Sequence, residues 1–185
     1  MRCHAGNPVG RLVVDKLPLN IVEAGLIHRL FPQARFILAV RHPCDVCLNC
    51  FMQSFRINHA MANFLTLEDA ALPYDKVMAL WAQYRAVLPL EARQVRYEDL
   101  VDDFDGTVGG LLEFLGLGWD DGVRRYAERA GRSKRIDTPS DNQVTEAIYT
   151  RARYRWRRYE ARLAPIMDRL APHIAAFGYA EPEGG

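Results

Sequence analysis

The chain has 185 residues and a mass of 21.1 kDa, which is the size of one domain. Hydrophobic residues make up 49% and charged residues 25%, proportions that are ordinary for a globular protein and exclude a disordered one. A net charge of +1 excludes a globally basic nucleic-acid binder. No run approaches the ~20 apolar residues of a membrane helix, and none follows the first charges as in a secretory signal. We therefore expect a cytoplasmic protein without membrane contact.

Short strands alternate with longer helices along the chain. The predicted strands are Arg11–Asp15, Arg35–Val40 and Ala92–Tyr97. The first two predicted helices run from Pro18 to Pro32 and from an Asp45 cap to about Phe55. Three more cover Tyr74–Leu88, Val101–Leu115, which Gly116 caps, and Asp120–Ala130. A last helix fills the final third of the chain, and its apolar stripe consists of Leu163, Ile166, Met167, Leu170, Ile174 and Phe177. Segments 58–73 and 131–142 are predicted to be irregular. This alternation indicates a parallel sheet covered by helices on both faces.

Basic residues concentrate in the last third of the chain. Of the 24 cationic side chains, 21 are arginines, and twelve basic residues lie between Arg124 and Arg162. Arginine suits bidentate binding of phosphate or sulfate. Solvated helix faces carry similar blocks of charge, so both interpretations stay open.

Three residues suited to an anionic nucleotide follow the three predicted strands. In parallel sheets, ligands bind at the carboxyl ends of the strands. Lys16 and Tyr97 follow the first and third strands, where Tyr97 could stack on a base or seal the sheet. Arg41 follows the second strand and precedes a helix start, whose free N–H groups would add to its attraction for an anion. No GxGxxG and no GxxxxGK[ST] motif occurs, so neither a dinucleotide fold nor a P-loop NTPase is supported.

Read in order, about residues 11–175 resemble the sulfotransferases that use 3′-phosphoadenosine 5′-phosphosulfate (PAPS), especially the bacterial tetratricopeptide-linked and protein-tyrosine branch. The stretches that carry the resemblance are DKLPLN (15–20), FPQARFI (31–37), RHPCDVCLNCF (41–51), YEDLV (97–101), LLEFLGL (111–117) with WD (119–120), SDNQV (140–144), and IY (148–149) through RW (155–156) to Tyr159. Their serial agreement is more specific than any single motif.

The resemblance implies a role for each matching residue. Arg41 would hold the 3′-phosphate of PAPS, and Asn49 stands where the family usually has a serine that touches the same phosphate. Tyr97 would lie by the adenine. The remaining roles concern the phosphosulfate. Ser140 and Gln143 would form a loop over it, Arg155 would close on the phosphates, and Lys16 and Ser140 would act in catalysis, with Lys16 stabilising the bridging oxygen as the S–O bond breaks.

The resemblance also implies the fold and the partners. We expect a three-layer αβα fold with a parallel sheet, like that of P-loop NTPases, incomplete at its amino-terminal end. Residues 1–185 would form one partial domain, with a strand–helix core over about 11–117, a helical part with the covering loop over about 118–178, and a tail at 179–185. The reaction would move a sulfuryl group from PAPS to an acceptor hydroxyl of a protein tyrosine, a sugar or a small molecule, with no metal and no nucleic acid.

The family's loop for the 5′-phosphosulfate, of the type Gly-x-Pro-Arg-Ser-Gly-Thr, is expected upstream of Val13, where this sequence has none. We therefore predict that the isolated chain transfers no sulfate, because half of the donor site is missing. A radiolabelled-PAPS assay with a phenol and a tyrosyl peptide tests this, and measurable turnover would refute it.

Other patterns offer alternatives. Cys44, Cys47 and Cys50 share the spacing of iron–sulfur ligands, but a helix would rotate the third away from the first two. His59 could serve as a base on the acceptor side, or simply be solvated. An inert remnant that still binds the nucleotide, or an arginine-rich module that binds nucleic acid through residues 151–162, are the alternative functions.

Overall fold

The computed structural model describes residues 12–53, 64–125 and 153–179. Within these ranges lie two strands, β1 (Arg35–Val40) and β2 (Glu91–Arg96). The same ranges hold six α-helices, α1 (Ala24–Leu30), α2 (Pro43–Met52), α3 (Leu67–Val87), α4 (Tyr97–Asp102), α5 (Phe104–Leu115) and α6 (Glu160–Ala176). Three short 3-10 helices cover Pro18–Ile21, Asp121–Val123 and Arg155–Tyr159.

β1 and β2 pair in parallel, from Arg35 opposite Glu91 to Val40 opposite Arg96. The connection between them contains α2 and α3, as parallel strands require a crossover. The predicted α/β class with a parallel sheet is thus confirmed, and β2 begins and ends one residue earlier than its prediction.

The main core lies where α6 packs against α2 and α3. Leu163 and Leu170 of α6 are completely buried, as its periodicity predicts. From α2, the free thiols of Cys44 and Cys47 are buried in the same cluster. The thiol of Cys44 donates to the Met167 sulfur at 3.4 Å. Apolar packing therefore surrounds these cysteines, and the described residues hold no group of three metal-ligating side chains.

The predicted first strand is wrong for the part of it that the structure describes. Residues 12–15 have no regular structure, and Val14 is 75% exposed. A strand needs a paired neighbour, and the described sheet consists of β1 and β2 alone. The helix predicted from Pro18 is a 3-10 turn followed by α1, and its residues Leu26 and Leu30 face solvent.

α3 begins inside the segment predicted to be irregular, which is wrong for residues 67–73. The Thr66 hydroxyl accepts from the Asp69 N–H at 3.0 Å and caps the helix. Pro73 then lies within α3 instead of preceding it, because the cap starts the helix at Leu67 and not at Tyr74.

Two further helix boundaries differ from prediction. The helix predicted over Val101–Leu115 is two helices, α4 and α5, separated at Asp103, whose carboxylate accepts from the Gly106 N–H at 2.9 Å. Gly116 ends α5 with φ 73°, as predicted. Only the 3-10 turn Asp121–Val123 occupies the described part of the helix predicted over 120–130, whose remainder lies outside the described residues. In the described ranges, no helix combines the length and apolarity needed to cross a membrane.

Leu170→Ala should lower the free energy of unfolding by about 2–5 kcal/mol, because it opens a cavity in the fully buried α6 interface. Leu117→Ala, at an exposed position, is the control and should cost less than about 0.5 kcal/mol. Urea denaturation followed by circular dichroism measures both, and equal losses would contradict this account of the core.

Candidate functional site

β1 and β2 end side by side, so Arg41 and Tyr97, the residues that follow them, are neighbours. The Arg41 guanidinium carbon lies 5.1 Å from the centroid of the Tyr97 ring. This distance is typical of a cation–π contact. Two of the three predicted strand-end residues therefore share one edge of the sheet, and their binding roles stay predictions.

Asp45 supports the Arg41 guanidinium from the first turn of α2. Its Oδ2 lies 3.7 Å from Nη2 of Arg41, and its Oδ1 accepts from the Trp156 N–H at 2.8 Å. Burial raises the pKa of Asp45 above its ordinary value, while the Arg41 charge and the Trp156 N–H oppose the rise. The predicted role of Asp45 as the α2 cap is wrong, because its carboxylate links β1, α2 and the 155–159 turn instead.

His42 caps α2. Its Nδ1 accepts from the Cys44 N–H at 3.3 Å, and its ring stacks on Trp156 with centroids 4.7 Å apart. Burial, followed by the charges of Arg157 and Arg96, lowers the pKa of His42 from 6.5 to about 4. A neutral imidazole, which keeps its acceptor lone pair, therefore starts the helix.

The start of α2 offers fewer N–H groups to an anion than its sequence predicts. The His42 N–H donates to Glu98 and the Cys44 N–H donates to His42, while Pro43 has no N–H. The predicted contribution of the helix terminus to anion binding is therefore reduced, and the prediction depends mainly on the Arg41 side chain.

Glu98, in the first turn of α4, is a buried carboxylate with two partners. Oε1 accepts from the His42 N–H at 3.3 Å, and Oε2 accepts from the Tyr179 hydroxyl at 2.5 Å. The guanidinium carbon of Arg96 lies 4.4 Å from the centroid of the Tyr179 ring. Glu98 thus connects the start of α4 with the peptide that follows Arg41 and with the end of the described chain.

A second arginine-rich surface surrounds Tyr154. The guanidinium carbons of Arg153 and Arg157 lie 5.4 and 4.8 Å from its ring centroid, and Arg153 also forms an ion pair with Asp102. Tyr154 has φ 48°, the only positive value at a non-glycine residue in the described chain. Such strain persists only where neighbouring contacts hold it, and here the two guanidinium groups provide them.

Of the other predicted site residues, three lie in the described ranges and three lie outside them. Lys16 is exposed in the irregular segment ahead of the Pro18–Ile21 turn. Asn49 is half-buried on α2, one helical turn beyond Asp45, and Arg155 is half-buried at the start of the 155–159 turn. Ser140, Gln143 and His59 lie outside the described residues.

A family model described as sulfotransferase family matches residues 2–121 of the chain. The chain belongs to the sulfotransferase family. A relative from Aquifex aeolicus, an uncharacterized protein, is 31% identical over 160 residues, or 85% of this chain and 20% of its own length. The protein-tyrosine sulfotransferase 2 of Gallus gallus is 23% identical over 94% of the chain and 48% of its own length.

A Mycobacterium bovis omega-hydroxy-beta-dihydromenaquinone-9 sulfotransferase is 29% identical over 58% of this chain and 29% of its own length. This sulfotransferase chain therefore spans between about a fifth and a half of the curated relatives named here.

Sequence reasoning missed the acids and aromatic residues that hold this candidate site together. Glu98, His42 and Tyr179 were given no role, although Glu98 directly follows Tyr97 and a carboxylate beside a strand end signals a polar network. Their contacts join positions 56 and 81 residues apart, and no local spacing marks such pairs.

His42→Asn should flatten the pH dependence of stability. Between pH 6.5 and 4 the unfolded state binds the His42 proton and the folded state does not, so the free energy of unfolding falls as pH falls through this window. The loss should reach about 3 kcal/mol near pH 4. Asparagine keeps a capping oxygen but cannot take up the proton.

Urea denaturation of both proteins at several pH values measures the difference. The raised pKa of Asp45 acts in the opposite sense in both proteins, so it cancels in the comparison. If the free energy of unfolding depended on pH in the same way in both proteins, this would contradict a neutral, buried His42.

Proposed function

We propose that this chain forms part of a PAPS-dependent sulfotransferase that transfers a sulfuryl group to an acceptor hydroxyl. The observation that carries the proposal is the Arg41 guanidinium, held at the carboxyl ends of two parallel strands between Tyr97 and Asp45. A fixed, planar guanidinium suits a phosphate group, and an adjacent aromatic ring suits a purine. Membership of the sulfotransferase family supports this reading.

In the proposed complex, Arg41 binds the 3′-phosphate, and Asn49, on the same helix as Asp45, donates its amide to that phosphate. Tyr97 lies against the adenine. Asp45 orients Arg41 but leaves its guanidinium partly exposed, with 21% of the side chain accessible to a ligand. Binding would therefore use a cation whose position is set in advance, which lowers the entropy lost on binding.

The remaining proposed roles concern the transferred group. Ser140 and Gln143 cover the phosphosulfate, and Arg155 closes on the phosphates from the turn that Asp45 anchors at Trp156. As the sulfur bonds to the acceptor oxygen, which gives up its proton, the bond between sulfur and the bridging oxygen breaks. Lys16 stabilises the negative charge that grows on this leaving oxygen, so that the reaction needs no metal.

The relatives' names supply two acceptor types, a protein tyrosine and a menaquinone derivative. For this chain we propose a hydroxyl acceptor, and protein tyrosine is the more specific proposal because that relative matches 94% of the chain.

Arg41→Ala should weaken the binding of adenosine 3′,5′-bisphosphate by at least about tenfold, the loss expected for one charge-assisted phosphate contact. Binding of adenosine 5′-monophosphate, which lacks the 3′-phosphate, should change far less. Isothermal titration calorimetry measures both ligands. Arg29→Ala is the matched control, because it removes an exposed arginine from α1.

Equal affinities of the wild-type chain for the two nucleotides would overturn the proposed role of Arg41. If a single-stranded oligonucleotide bound instead, with an affinity falling steeply as salt increases, an arginine-rich binding module would replace the sulfotransferase proposal. Binding of a single bisphosphate should depend on salt much less.

A further inference from the structure

One buried carboxylate, Glu98, connects three separate parts of the chain behind Arg41. It begins α4 after β2, binds the His42 N–H just after β1, and binds the Tyr179 hydroxyl beyond α6. The Glu98 side chain is 1% exposed, so solvent cannot replace these partners. Removing one partner of a buried carboxylate lowers the free energy of unfolding by more than the loss of an ordinary hydrogen bond does, so we expect both contacts to contribute to stability.

Tyr179 is held in place from both sides. Arg96 donates to the Gly178 carbonyl at 2.8 Å and lays its guanidinium on the Tyr179 ring. The edge contact with the His42 ring, at 5.0 Å between centroids, closes the other side. Burial and the Glu98 carboxylate raise the pKa of Tyr179, so its hydroxyl stays a donor.

The Glu98 contact fixes the backbone at the position next to Arg41. Because the His42 N–H belongs to the peptide group that joins residues 41 and 42, its orientation sets the direction in which the Arg41 side chain leaves the strand. Ligand-binding geometries tolerate displacements of only about 0.5 Å, so a loosened peptide here would matter at the guanidinium.

We propose that Glu98 and Tyr179 are positioning residues that fix the orientation of the Arg41 guanidinium. In this role Tyr179 acts on Arg41 through Glu98 and the backbone, without touching the ligand. The importance of this orientation for nucleotide binding rests on the proposed function above, whereas the orientation itself can be measured without a nucleotide.

A second polar contact of α6 provides a matched control. His173 Nε2 lies 2.8 Å from Asp75 Oδ1 and joins α6 to α3, as the Tyr179–Glu98 bond joins the end of α6 to α4. Arg169 also approaches Asp75, at 3.5 Å. Asp75→Asn removes the negative charge that faces both His173 and Arg169, which should weaken the packing of α6 on α3 but leave the backbone beside Arg41 as it is.

The test compares Tyr179→Phe, which removes one hydroxyl, with Asp75→Asn. Both variants should lower the melting temperature. Only Tyr179→Phe should weaken adenosine 3′,5′-bisphosphate binding, by about tenfold, and reduce the preference for it over adenosine 5′-monophosphate. In Glu98→Gln the amide oxygen still accepts from His42, so its affinity for adenosine 3′,5′-bisphosphate should lie between those of wild type and Tyr179→Phe. An equal loss of preference in Tyr179→Phe and Asp75→Asn would mean a merely structural role and overturn the proposal.

A second readout needs no nucleotide. In the NMR spectrum, the Arg41 Nε–Hε signal should be shifted by the ring current of Tyr97, which lies 5.1 Å from the guanidinium carbon. Tyr179→Phe should move this signal towards that of a free arginine, and Asp75→Asn should leave it in place. If the signal behaves so in a chain that binds neither nucleotide, the positioning role stands and the proposed function fails. An Arg41 signal unmoved by Tyr179→Phe overturns the positioning role, whatever the nucleotide affinity.

Discussion

Val40 and Arg96 face each other at the end of the paired strands, so the chain leaves β1 and β2 at the same edge of the sheet. Everything in the candidate site follows from this juxtaposition. It places Arg41 against Tyr97, and it brings the peptide after Arg41 within reach of Glu98. Parallel pairing achieves this with residues that are 56 positions apart in sequence. Without this strand pairing, Arg41 would not lie beside Tyr97.

Two buried carboxylates then hold the edge together, and each serves a different segment. Asp45 binds the backbone of the 155–159 turn, and Glu98 binds the hydroxyl of Tyr179. Burial of a carboxylate is unfavourable without hydrogen bonds, and here the Trp156 N–H binds Oδ1 of Asp45 while the His42 N–H and the Tyr179 hydroxyl bind the two oxygens of Glu98. His42 completes the arrangement as a neutral group, because burial lowers the pKa of its imidazole and the charges of Arg157 and Arg96 lower it further. Residues 153–179 are therefore tied to the candidate site by hydrogen bonding as well as by the apolar core of α6.

Elements with strong local signals were predictable. The strand β1, the apolar stripe of α6 and the Gly116 cap all follow from periodicity or from the backbone freedom of glycine. The failures share a different cause. Residues 12–15 have the composition of a strand, yet the described sheet offers them no neighbour. The start of α3 depends on a threonine cap that a nearby proline obscured, and α4 is separated from α5 by the Asp103 cap.

For this protein, the sequence by itself determined the α/β class, most of the helices and strands, the buried face of α6, and the choice of Arg41 and Tyr97 as strand-end residues. Each of these depends on a pattern spanning a few turns or a single strand, where side-chain period and burial coincide. Only the tertiary structure decided that His42 rather than Asp45 caps α2, that Glu98 reaches both His42 and Tyr179, and that Asp45 anchors Trp156. The cap falls to His42 because the distant Trp156 N–H engages Asp45, and a hydrogen bond between residues 81 or 111 positions apart leaves no local trace in composition or spacing.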